Sequence, residues 1–408
     1  MGVAGAIGGR GRLRRIWFLI HMWIGVGLSL VLIPLSLSGS YLVWRDEIDR
    51  AAHPARFAVG TQPASLEPSA YLGAAQAGFG DRAQVSSLRL PARPGEPVIV
   101  TGQIRPPSAA REGEGPAGAR DPRSHAPRAR PQSLTAWIDP ATARVLEVAN
   151  LRKGASMWMH DLHGQLFVFG AGRQVVGWLG VLMLVSCISG VWLWWPRAGA
   201  LHNGLRWRRG PGVLINLHYM VGFWVAIPLA ALSLTGALIS FQPFTRAVVG
   251  AFAPVSPPQA ARGGPLGGGG APLRRTRLTA DQAAAAAAAA APGARLASLT
   301  LPTRGPGEPA WRIQLRQPGH EPLTLMVDDA TGAAAPAPGR TQTSGDEMIR
   351  LNRRIHDGDD TPLVWKLLIT VVGAAPALLG VTGVIVWARS QLRKSGMRRR
   401  LAEPQPAA

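Results

Sequence analysis

Cysteine is nearly absent from this 408-residue chain: the single one, Cys187, falls inside an apolar stretch. Exported segments therefore cannot rely on internal disulfides, and no cysteine-ligated cluster is possible, so any redox cofactor must be held by other side chains. Acidic residues are also scarce, with 23 Asp and Glu against 44 Lys and Arg and a net charge of +21. Such a balance taken alone suggests nucleic acid. The position of the charges argues against it, because the densest basic clusters abut apolar stretches too long and too uncharged for a soluble core. No phosphate loop, Gly-x-Gly-x-x-Gly dinucleotide fingerprint or Ser-His-Asp signature stands out.

Four stretches meet the length of roughly 20 apolar residues that a hydrocarbon core about 30 Å thick demands. They span residues 16–44, 173–196, 213–241 and 364–388. The first follows Arg10, Arg12, Arg14 and Arg15, yet it is much longer than a signal core and shows no small-x-small cleavage site, so it reads as an uncleaved anchor. Basic residues crowd the short segments 1–15, 197–212 and 389–408, which the positive-inside rule places in the cytoplasm together with both termini. The long segments 45–172 and 242–363 then face outward.

The chain is written twice. Sliding it by 197 residues sets His21 on His218, Gly25 on Gly222 and Ser38-Gly39 on Thr235-Gly236. A slide of 193 sets His163 on His356, Gly180 on Gly373, Ser189-Gly190 on Thr382-Gly383 and Trp194 on Trp387. The outer segments also run parallel, with Ser87-Leu88-Arg89-Leu90-Pro91 resembling Ser298-Leu299-Thr300-Leu301-Pro302, each followed by Gly-Glu-Pro. Residues 137–142 likewise resemble 326–331. Each unit reads as span, outer domain, span. Within each outer domain a helical start (67–79 and 280–291) precedes alternating strand-like runs such as 84–90, 97–102 and 134–148, which predicts a small α+β module. Residues 105–132 and 256–272 are rich in Pro and Gly, cannot bury a core, and are expected to be disordered.

Of nine histidines, four recur in the repeat. At about 1.5 Å per helical residue His21 sits roughly 9 Å inside Arg15, and His218 lies at nearly the same depth. Two imidazoles at one depth could coordinate one iron from opposite sides. The second pair, His163 and His356, belongs near the outer boundary, because an unbroken helix from His163 to Arg197 would be about 50 Å long. Breakers at Gly170, Gly172, Gly358 and Pro362 place each of these histidines on an interfacial helix that turns into a span. Haem iron with two axial imidazoles has no position free for oxygen, which favours electron transfer over oxygen activation. Gly39, Gly190, Gly236 and Gly383 would permit close packing of helices or of a flat macrocycle. His160, one turn before His163, aligns with Arg353 and stands as a secondary ligand candidate or a surface residue. His53, His125, His202 and His320 read as solvated. The tryptophans, among them Trp178, Trp192, Trp194 and Trp195, read as an interfacial belt, with the last three also able to border a haem. The cytoplasmic segments are too short for a flavin domain, so electrons must come from a cytoplasmic partner or from quinol.

At these residues the chain resembles the PepSY-associated transmembrane family, also called iron-regulated membrane proteins, some of which act as ferric-siderophore reductases. The resemblance rests on Ile20-His21 through Ser38-Gly39, on residues 159–164 leading to Ser189-Gly190 and residues 191–197, on Leu217-His218 through Thr235-Gly236, and on Ile355-His356. It implies an α+β protein of the bacterial inner membrane, four transmembrane helices in two repeats, each with a PepSY-like periplasmic module. It also implies two b-type haems ligated by His21, His163, His218 and His356, and reduction of a ferric chelate outside. A long Arg/Pro insertion in the first module and an Ala/Pro tract at 333–338, where a firmer strand is usual, depart from the family pattern. Two other readings remain: a membrane-anchored binding or regulatory protein without redox chemistry, and a metal or proton transporter, ranked lower because no Asp or Glu lies within the spans to form a relay.

Overall fold

A computed structural model describes residues 3–104, 132–195, 212–256, 271–303, 308–317, 322–337 and 343–402. The segments expected to be disordered, 105–132 and 256–272, lie outside the described residues except at their ends. The helices are α1 (Val3–Leu42), α2 (Arg45–Ala52), α3 (Pro68–Phe79), α4 (Ala155–Gln165), α5 (Gly172–Trp194), α6 (Val213–Ser240), α7 (Gln242–Gly250), α8 (Ala280–Ala290), α9 (Ser344–Asp357) and α10 (Leu363–Ala402). The strands are β1 (Ala83–Arg89), β2 (Val98–Ile104), β3 (Ser133–Ile138), β4 (Val145–Ala149), β5 (Arg295–Thr300), β6 (Ala310–Arg316), β7 (Leu323–Asp328) and β8 (Ala334–Pro336). They fall into two compact units, one made of Met1–Arg45, Trp158–Val255 and Thr343–Ala408, the other of Asp46–Met157 and Ser256–Gln342.

In the helical unit four helices are long and apolar enough to cross a membrane: Gly11–Leu42, Gly172–Trp194, Val213–Ser240 and Leu363–Arg398. They match the four stretches found in the sequence, except that α1 begins within the basic segment before residue 16 and α10 continues as helix through the basic segment after residue 388. α1 packs on α5 and α10, and α6 packs on the same two, so α1 and α6 stand diagonally opposed. Small residues allow the approach: a Cβ at Gly180 would lie 3.0 Å from the Ser233 carbonyl oxygen, and one at its repeat equivalent Gly373 would lie 3.0 Å from Ser40 Oγ.

The second unit is one antiparallel sheet in the order β4-β3-β2-β1-β5-β6-β7-β8. The two outer segments, read from sequence as separate modules, share this sheet. They join where β1 pairs with β5, Leu88 opposite Leu299 and Ser87 opposite Thr300. Leu88 and Leu299 are the matched residues of the two similar segments, so the pairing has a local twofold character. Both strands carry an irregularity at matched places, between Val85 and Ser87 and between Leu296 and Ser298. α3 and α8 pack on the sheet and bury Tyr71, Phe79, Ala283 and Ala287 against Leu88, Leu299, Trp311 and Ile313. Four of the eight, Tyr71, Phe79, Trp311 and Ile313, are aromatic or β-branched and are among the largest fully buried side chains, so each removes a large apolar area from water.

The run 134–148, read as one strand, is two strands around a turn. Asp139 Oδ1 accepts hydrogen bonds from the backbone N–H of Ala141 (3.0 Å) and Thr142 (2.9 Å) and from the Thr142 hydroxyl (2.9 Å). Asp328 repeats the turn with Ala330 N–H (2.9 Å), Thr331 N–H (2.7 Å) and the Thr331 hydroxyl (2.8 Å). Each turn then passes through positive φ, 55° at Ala143 and 73° at Gly332. The Ala/Pro tract after the second turn is firmer than its composition suggests, since β8 pairs with β7 through Ala334, Ala335 and Pro336.

Hydrogen bonds from the backbone and hydroxyl of Thr331 hold the Asp328 carboxyl below the usual carboxylate range. At Asp139 burial pushes the carboxyl up, but the bonds from Thr142 and Ala141 and the Arg144 charge outweigh it, and the net shift is downward. A depressed carboxyl contributes stability above its unfolded value, near pH 4, that is lost as the pH falls through the folded value. Asp139→Ala should lower the unfolding free energy of the full chain in detergent at pH 7 by about 1–3 kcal/mol and reduce the loss of stability between pH 5 and 2. Thermal or denaturant unfolding at the two pH extremes checks both; an unchanged midpoint at pH 7 contradicts the role given to the turn.

Candidate functional site

The four repeated histidines come together as two pairs. The ring centres of His21 on α1 and His218 on α6 are 6.3 Å apart, so this pair spans the diagonal of the four-helix arrangement. His163 near the end of α4 and His356 near the end of α9 are 6.2 Å apart. α9 is set by its ends: the Thr343 hydroxyl accepts a hydrogen bond from Asp346 N–H (3.3 Å) at the start. At the other end Gly358 takes φ 73° and stops the helix one residue after Asp357. α4 is stopped by Leu166 and Phe167 at φ 52° and 57°, with Gly170 at φ 91° before α5 begins. The break expected between each histidine and its span is present in both halves.

Each imidazole is held through Nδ1 by a neighbouring helix. His21 Nδ1 lies 3.1 Å from the Ser186 carbonyl oxygen and 3.0 Å from Ser189 Oγ. His163 Nδ1 lies 2.9 Å from the Leu35 carbonyl oxygen. His218 Nδ1 lies 3.2 Å from Thr382 Oγ1, the hydroxyl that donates to the Leu379 carbonyl oxygen. His356 Nδ1 lies 3.1 Å from the Leu232 carbonyl oxygen and 3.1 Å from Thr235 Oγ1. The carbonyl residue is in every case three positions before a Ser or Thr and four before a glycine: Leu35, Ser38, Gly39; Ser186, Ser189, Gly190; Leu232, Thr235, Gly236; Leu379, Thr382, Gly383. All four hydroxyls donate back to that carbonyl, at distances of 2.9 to 3.2 Å.

The glycine makes room for the ring. An added Cβ would fall 2.6 Å from His163 Cε1 at Gly39, 2.7 Å from His356 Cε1 at Gly236, 3.1 Å from His21 Cε1 at Gly190 and 3.5 Å from His218 Cε1 at Gly383. These glycines, expected to serve helix packing or a macrocycle, receive imidazoles. The Ser and Thr beside them recurred visibly in the repeat, yet nothing local tied them to a histidine more than a hundred residues away.

With Nδ1 engaged by a carbonyl or hydroxyl, Nε2 is the nitrogen left for coordination, the usual arrangement for a metal-bound histidine. Metal–imidazole bonds run about 2 Å, so two rings bound to opposite sides of one metal hold their centres about 6 Å apart. Both pairs have this spacing. Burial pushes His356 down to about 4, the neighbouring His163 adding to it, and burial lowers His163 too. These two imidazoles are therefore neutral near pH 7, as ligation requires. Among the described residues no group of three or more His, Cys, Asp or Glu gathers to hold a metal ion. Two axial donors without further protein ligands fit a metal whose other positions are filled by a macrocycle.

His160 stands apart. Its side chain is 57% exposed and its Nδ1 lies 3.9 Å from Asp161 Oδ1, which makes it a surface residue of α4. His53 lies 3.8 Å from Asp49, and His125, His202 and His320 are outside the described residues. The tryptophans divide. Trp178, Trp192 and Trp195 are more than half exposed, as an interfacial belt requires, whereas Trp194 is 4% exposed and stacks on Phe223 at 4.0 Å. Trp44 and Trp365 donate specific hydrogen bonds, to Thr370 Oγ1 (2.8 Å) and the Ile355 carbonyl oxygen (3.2 Å).

Four helices long and apolar enough to cross a membrane define a multi-pass membrane protein. Residues 18–390 match the family described as PepSY-associated TM region, and the chain belongs to that family. It is also 40% identical over 81 residues to the uncharacterized protein PA4219 of Pseudomonas aeruginosa, a match that spans 19% of this chain and 20% of that protein's length.

Overpacking by one methyl costs about 1–3 kcal/mol where neighbours cannot yield. Gly39→Ala and Gly236→Ala should therefore lower the thermal midpoint in detergent, while Gly383→Ala should leave it nearly unchanged. Equal midpoints for all three variants would contradict the close fit of His163 and His356.

Proposed function

We propose that this chain is a dihaem protein that moves electrons across a bacterial inner membrane and reduces a ferric chelate, such as a ferric siderophore, on the outer side. The observation that carries this reading is the pairing itself: two imidazole pairs with ring centres 6.3 and 6.2 Å apart, every Nδ1 engaged by a neighbouring helix. His21 and His218 would hold one haem b, His163 and His356 the other. Haem b, when bound, supplies a reversible one-electron iron couple with no axial position open to oxygen. The protein's part is to fix the imidazoles, to keep them neutral and to surround them with a water-poor medium that sets the potential.

Several features support the rest of the reading. His21 and Leu35, the residue whose carbonyl holds His163, are separated by about 21 Å of helix rise. One pair therefore lies toward each face of a bilayer about 30 Å thick. With the basic segments in the cytoplasm both termini are cytoplasmic, His21 and His218 lie toward the cytoplasm, and the sheet unit is periplasmic. The sheet unit then consists of two PepSY-like modules, consistent with a helix and four strands following one another in each half. A cytoplasmic protein or quinol supplies the electrons.

Purified protein expressed with ample haem should show reducible b-type absorption bands and two haems per chain. His163→Ala and His356→Ala should each retain one. A wild-type protein without those bands overturns the function, and two haems retained in both variants overturns the ligand assignment.

A further inference from the structure

The two pairs differ in one respect that the sequence repeat does not announce. His21 and His218 cross at 88° between ring planes, whereas His163 and His356 are inclined by only 33°. Each plane is set from two directions. A hydrogen bond to Nδ1 pins one edge of the ring, and Cε1 occupies the space beside a glycine, where an added Cβ would fall 2.6 to 3.5 Å away. The crossed pair meets a hydroxyl on both sides, Ser189 Oγ at 3.0 Å and Thr382 Oγ1 at 3.2 Å. In the other pair only His356 meets one, Thr235 Oγ1 at 3.1 Å. Ser38, like the other three hydroxyls, donates to the carbonyl oxygen three residues back, and it is this oxygen, that of Leu35, that meets His163 Nδ1.

We propose that the four Ser/Thr–Gly dipeptides are imidazole seats that hold the two ligand pairs in different orientations, crossed at His21 and His218 and near-parallel at His163 and His356. The two sites are thereby electronically distinct. The inference rests on the haem reading above. It follows from the symmetry of a low-spin ferric ion. Imidazoles in nearly the same plane direction donate into the same iron π orbital, split it from its partner and give a rhombic paramagnetic signal. Crossed imidazoles donate into both orbitals, leave them nearly degenerate and give a single, strongly anisotropic signal at low field. Ser189, Thr382, Thr235 and Ser38 are positioning residues in this scheme, since none of them offers a ligand.

The hydroxyl at Thr382 suits the test. A methyl in its place would stand 3.2 Å from His218 Nδ1, inside the usual contact distance of about 3.5–4.0 Å, and the ring must turn away. Electron paramagnetic resonance of the oxidised full chain with both haems bound should show one strongly anisotropic and one rhombic low-spin signal. Thr382→Val should abolish the anisotropic signal in its original position and leave the rhombic one. Thr382→Ser, which restores the hydroxyl, should recover it. Gly236→Ala, acting on His356, should move the rhombic signal alone, and it provides a second reading should Thr382→Val fold poorly. Two signals of one kind in the wild type, or a Thr382→Val spectrum identical to wild type, would overturn the proposal while leaving two haems in place. Absence of any low-spin haem signal would overturn the haem reading and this inference with it.

Discussion

Everything at the candidate site depends on backbone carbonyls that glycines uncover. In a helix the side chain at position i+4 leans back over the turn that carries carbonyl i. With glycine at i+4 that carbonyl is open sideways and accepts a second donor besides its own helix N–H. The hydroxyl at i+3 joins at the same oxygen. An imidazole N–H placed among apolar helices without such a partner would cost several kcal/mol. Three imidazoles meet such a carbonyl and His218 meets the hydroxyl beside one, each through Nδ1. The same contact ties α1 to α5 through His21 and Gly190, and α6 to α10 through His218 and Gly383, so building the site and packing the bundle are one operation.

The two halves of the chain carry histidines at matched sequence positions, and the matched histidines face each other as pairs. The sheet unit obeys the same logic with different chemistry, since Leu88 and Leu299, matched in the repeat, are opposite one another where β1 meets β5. Each unit is assembled by self-complementary contact between its own halves. The departures from symmetry are correspondingly informative. Exposed His160 aligns with exposed Arg353 and neither belongs to a histidine pair, while the ring angles of 88° and 33° show that matched histidines need not have equal surroundings.

The spans and the four recurring histidines were legible in the sequence because hydropathy and repetition are both local signals. So were α3, α8 and most strands, which alternate as a half-buried sheet must. What escaped is what needs a partner from far along the chain. Ser38-Gly39 and its three equivalents were visible as a recurring dipeptide, but only the fold reveals that each receives a ring from another helix. Trp194 looked like its exposed neighbours until Phe223 covered it. The β3–β4 turn was legible but passed over: Asp139-Pro140 is a turn dipeptide within a run read as one strand. The joining of two modules into one sheet was silent, because similarity between β1 and β5 does not say that they pair.

The breaks before α5 and α10 show how firmly the His163 and His356 pair is specified. Phe167 and Asp360, matched in the repeat, both take positive φ, 57° and 53°, although neither is glycine, and Leu166 adds a third at 52°. Such residues cost on the order of 1–3 kcal/mol each and persist only where the surroundings over-determine them. A continuous helix would avoid that strain, yet it would carry His163 straight along the axis of α5 and away from the Leu35 carbonyl. The chain instead folds back within a few residues, and the hydrogen bonds of His163 and His356 to α1 and α6 help hold the turns closed. Strain at both turns is therefore the structural consequence of bringing two imidazoles from separate short helices to one point between the spans.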